Sequence, residues 1–450
     1  MKSSMLVMPA LAVAVGTALC GVASAQGTRP GIPSGKGYFY PSIEFAAEDN
    51  SNIFRDDENP IDAQVYDSGA NLEWRFPLSR SSLSLAYTPR YRVYSDDLLP
   101  STVNHIFDAD LAFEFRNGAR LGLTENFERG IQQLKTVTAS EADFNGDKFT
   151  SNEGHVDLRL PLGRHQFFDV AAFSRTVSFD QPDEASFFDF SEFGGSVGWS
   201  VSMTHLLEYR LEARGRSNAQ DRQDLEFTDF NTDLPVVIPD FQEEDFKEVV
   251  LRTGLDGKLG TNADLQVFYG YGVMRFENSA EGDFEGSSFD VDARFILGRA
   301  WGVRLRASRH PRQSFFNVSN FFVSEVGSLD VTWASPRRLQ VSVGGSVQAN
   351  RYPDPIVTDI DSNPATGADA AGNEILPDPA GGLVAGVIRR DDLSLLRARL
   401  QFTFRPDRLL AFVEVLDERR ASNLSFVQSD GTTVRVGVRF GWLPPTGGGI

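Results

Sequence analysis

The chain has one cysteine in 450 residues, Cys20, and only five each of methionine, tryptophan and histidine. Cys20 falls inside an N-terminal leader, and Leu19 stands before it where lipidation needs a small residue. A mature chain without cysteine has no disulfide framework, no thiol nucleophile and no cysteine-ligated metal. His105, His155, His165, His205 and His310 are not spaced as metal ligands. Beyond the leader no run reaches the roughly 18 apolar residues of a membrane helix. That leaves a membrane β-barrel open, because barrel strands carry only a weak, alternating signal. Sustained helical periodicity is missing as well, so the chain reads as all-β.

Lys2, the apolar stretch Met5 to Leu19 and Ala23-Ser24-Ala25 have the order of a secretory signal peptide, placing the mature start at Gln26. The domain reading is a signal peptide over 1–25, a flexible Gly/Pro segment over 26–36, a barrel over 37–442 and a tail over 443–450.

What the chain has in quantity is a strand–tight turn–strand unit, eight times over. The turns are Phe76-Pro-Leu-Ser-Arg80, Arg116-Asn-Gly-Ala119, Pro161-Leu-Gly-Arg164, Ser202-Met-Thr-His205, Gly260-Thr-Asn262, Gly298-Arg-Ala300, Ser335-Pro-Arg-Arg338 and Arg405-Pro-Asp-Arg408. Longer polar segments separate the units. Short turns at one end and long loops at the other suit an antiparallel up-and-down transmembrane barrel. The segments give eighteen strands, with sixteen the alternative, and both termini at the short-turn end. Each is long enough for the 9–11 residues of a tilted spanning strand.

Alternation assigns the faces. In Ser82 to Tyr94, Leu83, Leu85, Tyr87, Tyr91 and Val93 share one face, and Ser84, Thr88, Arg90 and Arg92 the other. Val303 and Leu305 oppose Arg304 and Arg306; Leu396, Leu400 and Phe402 oppose Arg397 and Arg399; Val434, Val436 and Val438 oppose Arg435 and Arg439. Closure of the sheet removes the edges that lipid would not tolerate. Tyr38, Phe39, Tyr40, Trp74, Phe76, Phe167, Phe168, Trp301 and Trp442, near strand ends, are expected to form interfacial girdles.

Charge is unevenly spread. Loss of Lys2 with the leader takes the net charge from −19 to −20. Segments 48–63, 179–192, 217–245, 276–285 and 351–388 hold 30 acidic residues against three basic ones. Acid therefore lies in loops and base in strands, with no basic stripe for nucleic acid. The candidate lumen residues, expected to contact anions, are Arg90, Arg92, Arg159, Arg210, Arg214, Arg216, Arg304, Arg306, Arg397, Arg399, Arg435 and Arg439. A guanidinium fork suits carboxylates and phosphates. The competing reading pairs these arginines with inward acids such as Asp157, Glu212 and Glu414, bracing the wall.

Other motifs carry less. Gly194-Gly-Ser196-Val-Gly198 matches G-x-S-x-G, but a nucleophile elbow needs a strand-to-helix turn and no helix follows. Asp359-Ile-Asp-Ser-Asn363 begins like a calcium loop, then Pro364 and Ala370 replace the required Gly and Glu. Glu48 to Asn52 with Asp56, Asp57 and Glu58 is a second acidic oxygen cluster, read as a solvated loop. Gly31 to Lys36 is one residue short of a phosphate loop. No catalytic residue, metal or cofactor is expected.

The stretch Tyr40-Pro-Ser-Ile-Glu-Phe-Ala-Ala-Glu-Asp-Asn-Ser-Asn-Ile-Phe54, followed by Leu83-Ser-Leu-Ala-Tyr87, Tyr91 and Tyr94, resembles the β-barrel porin family associated with exopolysaccharide operons. In that family a first strand ends in an Asp-Asn-x-x-Ile/Phe motif and tyrosine-rich strands follow. The likeness is specific over residues 38–130 and general elsewhere. It implies the bacterial outer membrane, a role in polysaccharide export, and lipid, polysaccharide and periplasmic export components as partners. It defines no functional residues to carry over. The tail Leu443 to Ile450 departs from barrels that end on an aromatic residue, and moves that signal inward to Phe440 and Trp442.

The expected function is thus an outer-membrane channel for an anionic polymer such as exopolysaccharide. The alternatives are an uptake porin for small solutes and a plugged barrel serving structure or adhesion.

Overall fold

The computed structural model describes residues 31–53, 60–95, 100–131, 148–180, 189–220, 225–228, 235–238, 245–277, 283–298, 300–314, 321–335, 338–356, 367–368, 374–375, 387–405, 408–422 and 428–442. The signal peptide, the C-terminal tail and the calcium-like segment Asp359 to Asn363 lie outside them. Eighteen long strands follow in order: β1 Gly37–Asn50, β2 Ala63–Pro77, β3 Ser81–Tyr94, β4 Thr102–Glu114, β5 Arg120–Ile131 and β6 Lys148–Pro161. Next come β7 Gln166–Phe179, β8 Phe190–Ser202, β9 Leu207–Gln220, β10 Phe246–Lys258, β11 Ala263–Phe276 and β12 Phe284–Leu297. The last are β13 Trp301–Gln313, β14 Phe321–Ala334, β15 Leu339–Ile356, β16 Val387–Arg405, β17 Leu409–Ser422 and β18 Ser429–Gly441. Each pairs antiparallel with its sequence neighbour, and β1 pairs with β18 from Ser42↔Gly441 to Asn50↔Thr433. The sheet is a closed up-and-down barrel of eighteen strands.

The connections segregate as expected. Eight have three to five residues, and the nine at the other end have six to thirty. Turn chemistry explains the short ones. At the β4–β5 turn Gly118 has φ +83°, and the Asn117 side chain accepts from the Ala119 N–H at 3.1 Å. Asn-Gly suits this geometry because glycine enters the left-handed region without a Cβ clash.

Outward positions are apolar through most of each strand. Val197, Leu211, Leu251, Leu305, Leu396 and Val436 are all exposed. In water such a continuous surface would be an aggregation liability; against hydrocarbon it is the required outer face. The protein is therefore an outer-membrane β-barrel. Outward charges gather at the long-loop ends, as in the Arg309–Glu325 pair at 3.1 Å and the Arg351–Asp392 pair at 3.0 Å.

Aromatic residues line the short-turn end. Phe39 stacks on Trp74 with centroids 4.4 Å apart, and Trp301 lies 6.4 Å from Trp333. Three of the expected girdle residues turn inward instead: Tyr38, which shares parity with Tyr40, and the two that follow. Tyr40 is buried with Arg75 5.6 Å from its ring, and Phe167 has Arg159 4.0 Å from its ring. In a strand of period two, successive aromatics such as Phe39-Tyr40 or Phe167-Phe168 cannot share a face. The N-terminal segment also departs from expectation. Ile32–Ser34 forms a short strand pairing with Gly37 to Phe39. The register of β18 ends at Ser42, so the start of β1 has an open edge on that side, which this hairpin covers.

Candidate functional site: the lumenal wall

All twelve arginines singled out by alternation lie on the inward face, and each is within ion-pair distance of a carboxylate. The wall is braced, as the competing reading has it. Three groups of pairs cross it.

The first spans the seam where β18 meets β1. Glu44 accepts from Arg439 Nε at 2.9 Å, Arg435 Nη2 at 3.0 Å and Arg90 Nη2 at 3.3 Å. Asp67 accepts from Arg435 Nη2 at 3.0 Å and lies 3.6 Å from Arg92 Nη2. Four guanidinium groups thus share two carboxylates, leaving the seam basic. Arg399 meets Glu414 next door at 3.6 Å.

The second group runs from β6 to β13. Arg159 donates to Glu208 Oε2 at 2.7 Å, and Arg210 reaches Asp256 at 2.8 Å. Arg214 pairs with Glu212, and Arg216 with Glu248 and Glu192. The third lies on β12 to β16: Arg304 on Asp292, with Nε–Oδ1 3.0 Å, and both Arg306 and Arg397 on Asp330, at 2.9 and 3.7 Å. Most of these pairs join different strands, so they fix lateral register as well as balancing charge.

Of the inward acids expected from sequence, Glu212 and Glu414 hold arginines. Asp157 faces the lumen without an ion pair among the described residues. The structure adds inward arginines that alternation missed: Arg175, Arg252, Arg294, Arg312, Arg389 and Arg420. Arg252 joins Glu212 at 3.0 Å and Asp290 at 3.6 Å. Arg389, Asp391 and Arg420 form a buried cluster in which Asp391 accepts from both arginines at 2.8 Å. Arg252 could have been found, since it shares parity with Glu248. Arg312 and Arg389 lie just beyond the strand ends that sequence suggests.

The G-x-S-x-G stretch has a packing explanation. Gly194, Ser196 and Gly198 face inward on β8, opposite Arg216, Arg214 and Glu212 of β9. A Cβ on Gly194 would approach Gly215 O to 2.8 Å and also strike the Phe173 ring. Small residues here let long neighbours lie across the strand. They open a lumenal cavity of about 500 Å³ in the long-loop half, between β6 and β13. A second cavity, of about 380 Å³, lies below it towards the short turns.

The Asp-Asn-x-x-Ile motif closes the outer end of the seam. The Asn52 N–H donates to Asn50 Oδ1 at 3.0 Å, and Asn52 Nδ2 donates to the Asp430 carbonyl at 2.9 Å. Ile53 packs with Ala63, Val65, Tyr94 and Ile131. The acidic residues Asp56, Asp57 and Glu58 fall outside the described residues.

No protein-family model matches this chain, and no curated protein matches it. Among solved structures, it is similar to the FrpB iron transporter from Neisseria meningitidis (F5-1 variant), with 9% identity over 90% of this chain and 82% of that one, at TM-score 0.43. It is similar to the siderophore receptor PirA from Acinetobacter baumannii, with 6% identity over 93% and 81%, at TM-score 0.44. It is also similar to in-vitro folded OmpT, an outer membrane protein of Vibrio cholerae, with 11% identity over 92% and 100%, at TM-score 0.34. The assignment to the outer membrane rests on the closed strand order and the apolar outer band.

Proposed function

We propose that the barrel is a passive outer-membrane channel whose cargo is an acidic polysaccharide leaving the cell. The observation that carries this reading is the charge-paired lumen. A wall of guanidinium–carboxylate pairs is hydrophilic along its length yet holds little free charge to trap an ion. A hydrated sugar chain can exchange hydrogen bonds with such a wall at each step, and the basic seam favours acidic units over cationic ones. The acidic loop segments suit export more than anion uptake, because they repel free anions approaching from outside. The resemblance to exopolysaccharide-associated porins points the same way. A strain lacking this protein is expected to lose polymer from the medium; unchanged secretion would remove the reading.

A second reading has its own support. Near the long-loop rim, inward side chains that an open bore would wet are dry: Met274 and Asp391 are 0% exposed, Phe322 and Arg389 1%. Dry inward side chains at this rim favour a gated channel or a plugged barrel. Planar-bilayer recordings of the full chain and of a variant lacking residues 357–386 separate these. Current in both supports an open channel, current only after deletion supports a gate, and silence in both supports a plug.

A further inference from the structure

We propose that the 500 Å³ cavity in the outer half of the lumen is a binding site for a sugar acid, with Arg312 holding the carboxylate and Asp157 accepting from hydroxyls. The assignment rests on the reading of the lumen as a sugar path.

The neighbours of Arg312 are already engaged. Arg216 is held between Glu192 and Glu248. Asp290, on the neighbouring strand β12, is taken by His310 Nε2 at 2.7 Å and by Arg252 at 3.6 Å. Arg312 lines the cavity and makes no ion pair with any described residue. Arg312 therefore brings up to five N–H donors to the cavity wall, and no described carboxylate lies within ion-pair distance of them.

The opposite pole is Asp157. It lines the same cavity and the one below, deeper along β6, and no described cation pairs with it. A free inorganic anion would be attracted by Arg312 and repelled by Asp157. A ligand with a carboxylate at one end and hydroxyl donors along its body satisfies both. Phe rings also line the cavity, two of them with an arginine on one face: Arg175 lies 5.4 Å from the Phe190 ring and Arg216 5.1 Å from the Phe246 ring. Flat apolar faces beside charge-paired donors and acceptors match a pyranose, which presents C–H on one face and hydroxyls at its rim. The volume lies within the roughly 300–1,000 Å³ usual for small-ligand sites.

The test uses the full chain in detergent micelles, titrated calorimetrically with sodium glucuronate, glucose and sodium phosphate. Glucuronate is expected to bind saturably, and phosphate is not expected to compete. Arg312→Ala should raise the glucuronate Kd at least tenfold, whereas Arg351→Ala, on the outer face of β15 and paired with Asp392, should leave it within twofold. If Arg312→Ala lacks heat-modifiable migration on gels, Arg312→Gln replaces it. Equal glucuronate affinity in wild type and the Arg312 variant overturns the proposal, as does phosphate binding as tight as glucuronate. Bilayer recordings keep the two readings apart. Arg312-dependent glucuronate binding in a protein that never conducts leaves the site standing and removes the channel. Conduction without glucuronate binding removes the site and leaves the channel.

Discussion

Glu44 of β1 accepts the Arg439 Nε hydrogen of β18 at 2.9 Å, so an ion pair ties the first barrel strand to the last. Every other strand pair is joined by a connection in the chain. This one is joined only by backbone pairing and by what its side chains add. Glu44 is largely shielded, and Arg435 and Arg90 crowd the same carboxylate.

Glu44→Gln should therefore loosen the barrel more than removal of any wetter pair. Neutralising the shared carboxylate leaves three guanidinium groups close together, at a cost of about 2–4 kcal/mol, toward the range for breaking a shielded pair. Arg304→Ala, whose pair with Asp292 is well exposed, should cost under about 1 kcal/mol. The temperature at which the folded band is lost on unheated gels reports both. Equal effects of the two changes would mean that the seam pair has no special weight.

Asn52→Ala tests the outer end of the seam. The side chain is 1% exposed and its Nδ2 donates to the Asp430 carbonyl. Its removal should cost about 1 kcal/mol, because a part-buried hydrogen bond across the seam is lost. Hydrogen exchange at Ser51 and Thr432, whose backbone bond crosses the seam at 3.0 Å, should quicken before exchange in β10 changes. No local change there would detach the motif from closure of the barrel.

The eighteen strands were legible in the sequence for a definite reason. Across the lipid band one face must be apolar and the other wet, so alternation is enforced for about ten residues. Beyond that band the constraint lapses. Arg309 and Arg351 face outward at the long-loop ends, which is why β13 runs to Gln313 and β15 to Ile356, past where alternation stops. Arg312 was lost to view by the same effect. The inward arginines were legible by parity, but their partners were not. Whether Arg435 meets Glu44 depends on register between strands nearly the whole chain apart, and no local pattern encodes that. Tyr38, Tyr40 and Phe167 turn inward because strand parity, and not aromatic character, sets the face a side chain takes.

Glu125 departs from the pattern of the outer face. It shares parity with exposed Leu123 and faces outward midway along β5, between Ala109 and Gly154. No described cation pairs with it. A carboxyl group in the lipid band costs less than the roughly 2–4 kcal/mol of Arg or Lys, but it still costs. Glu125→Leu should therefore stabilise the barrel by about 1 kcal/mol in denaturant unfolding from phospholipid vesicles. A destabilised variant would show that Glu125 has a favourable contact on that face.

Outside the span, Asp283 gives a pH dependence of known sign. The Arg275 side chain donates to it at 2.5 Å and the Phe276 N–H at 3.1 Å, and these bonds hold its carboxyl below the usual aspartate range. A depressed folded pKa adds stability that is present above the unfolded value and lost as pH falls through the folded one. The site is open to water, so the effect is local and small. Amide exchange at Phe276 should rise as pH drops below about 4, after correction for intrinsic rates. In Asp283→Asn that rise should vanish; its persistence would place the titrating group elsewhere.

The wall itself can be tested through Asp330, which holds Arg306 at 2.9 Å and Arg397 at 3.7 Å with both arginines about half exposed. The exposure makes the pair weak as a brace, so Asp330→Asn should fold normally. It should nevertheless release two guanidinium groups to the lumen water. Under a salt gradient across a bilayer, the reversal potential should move toward the anion side, and more so at low ionic strength, because screening shortens the reach of wall charges. A variant that conducts with an unchanged reversal potential would mean that ions do not pass this stretch of wall. The bore would then follow another part of the wall, along the basic seam of Arg90, Arg435 and Arg439.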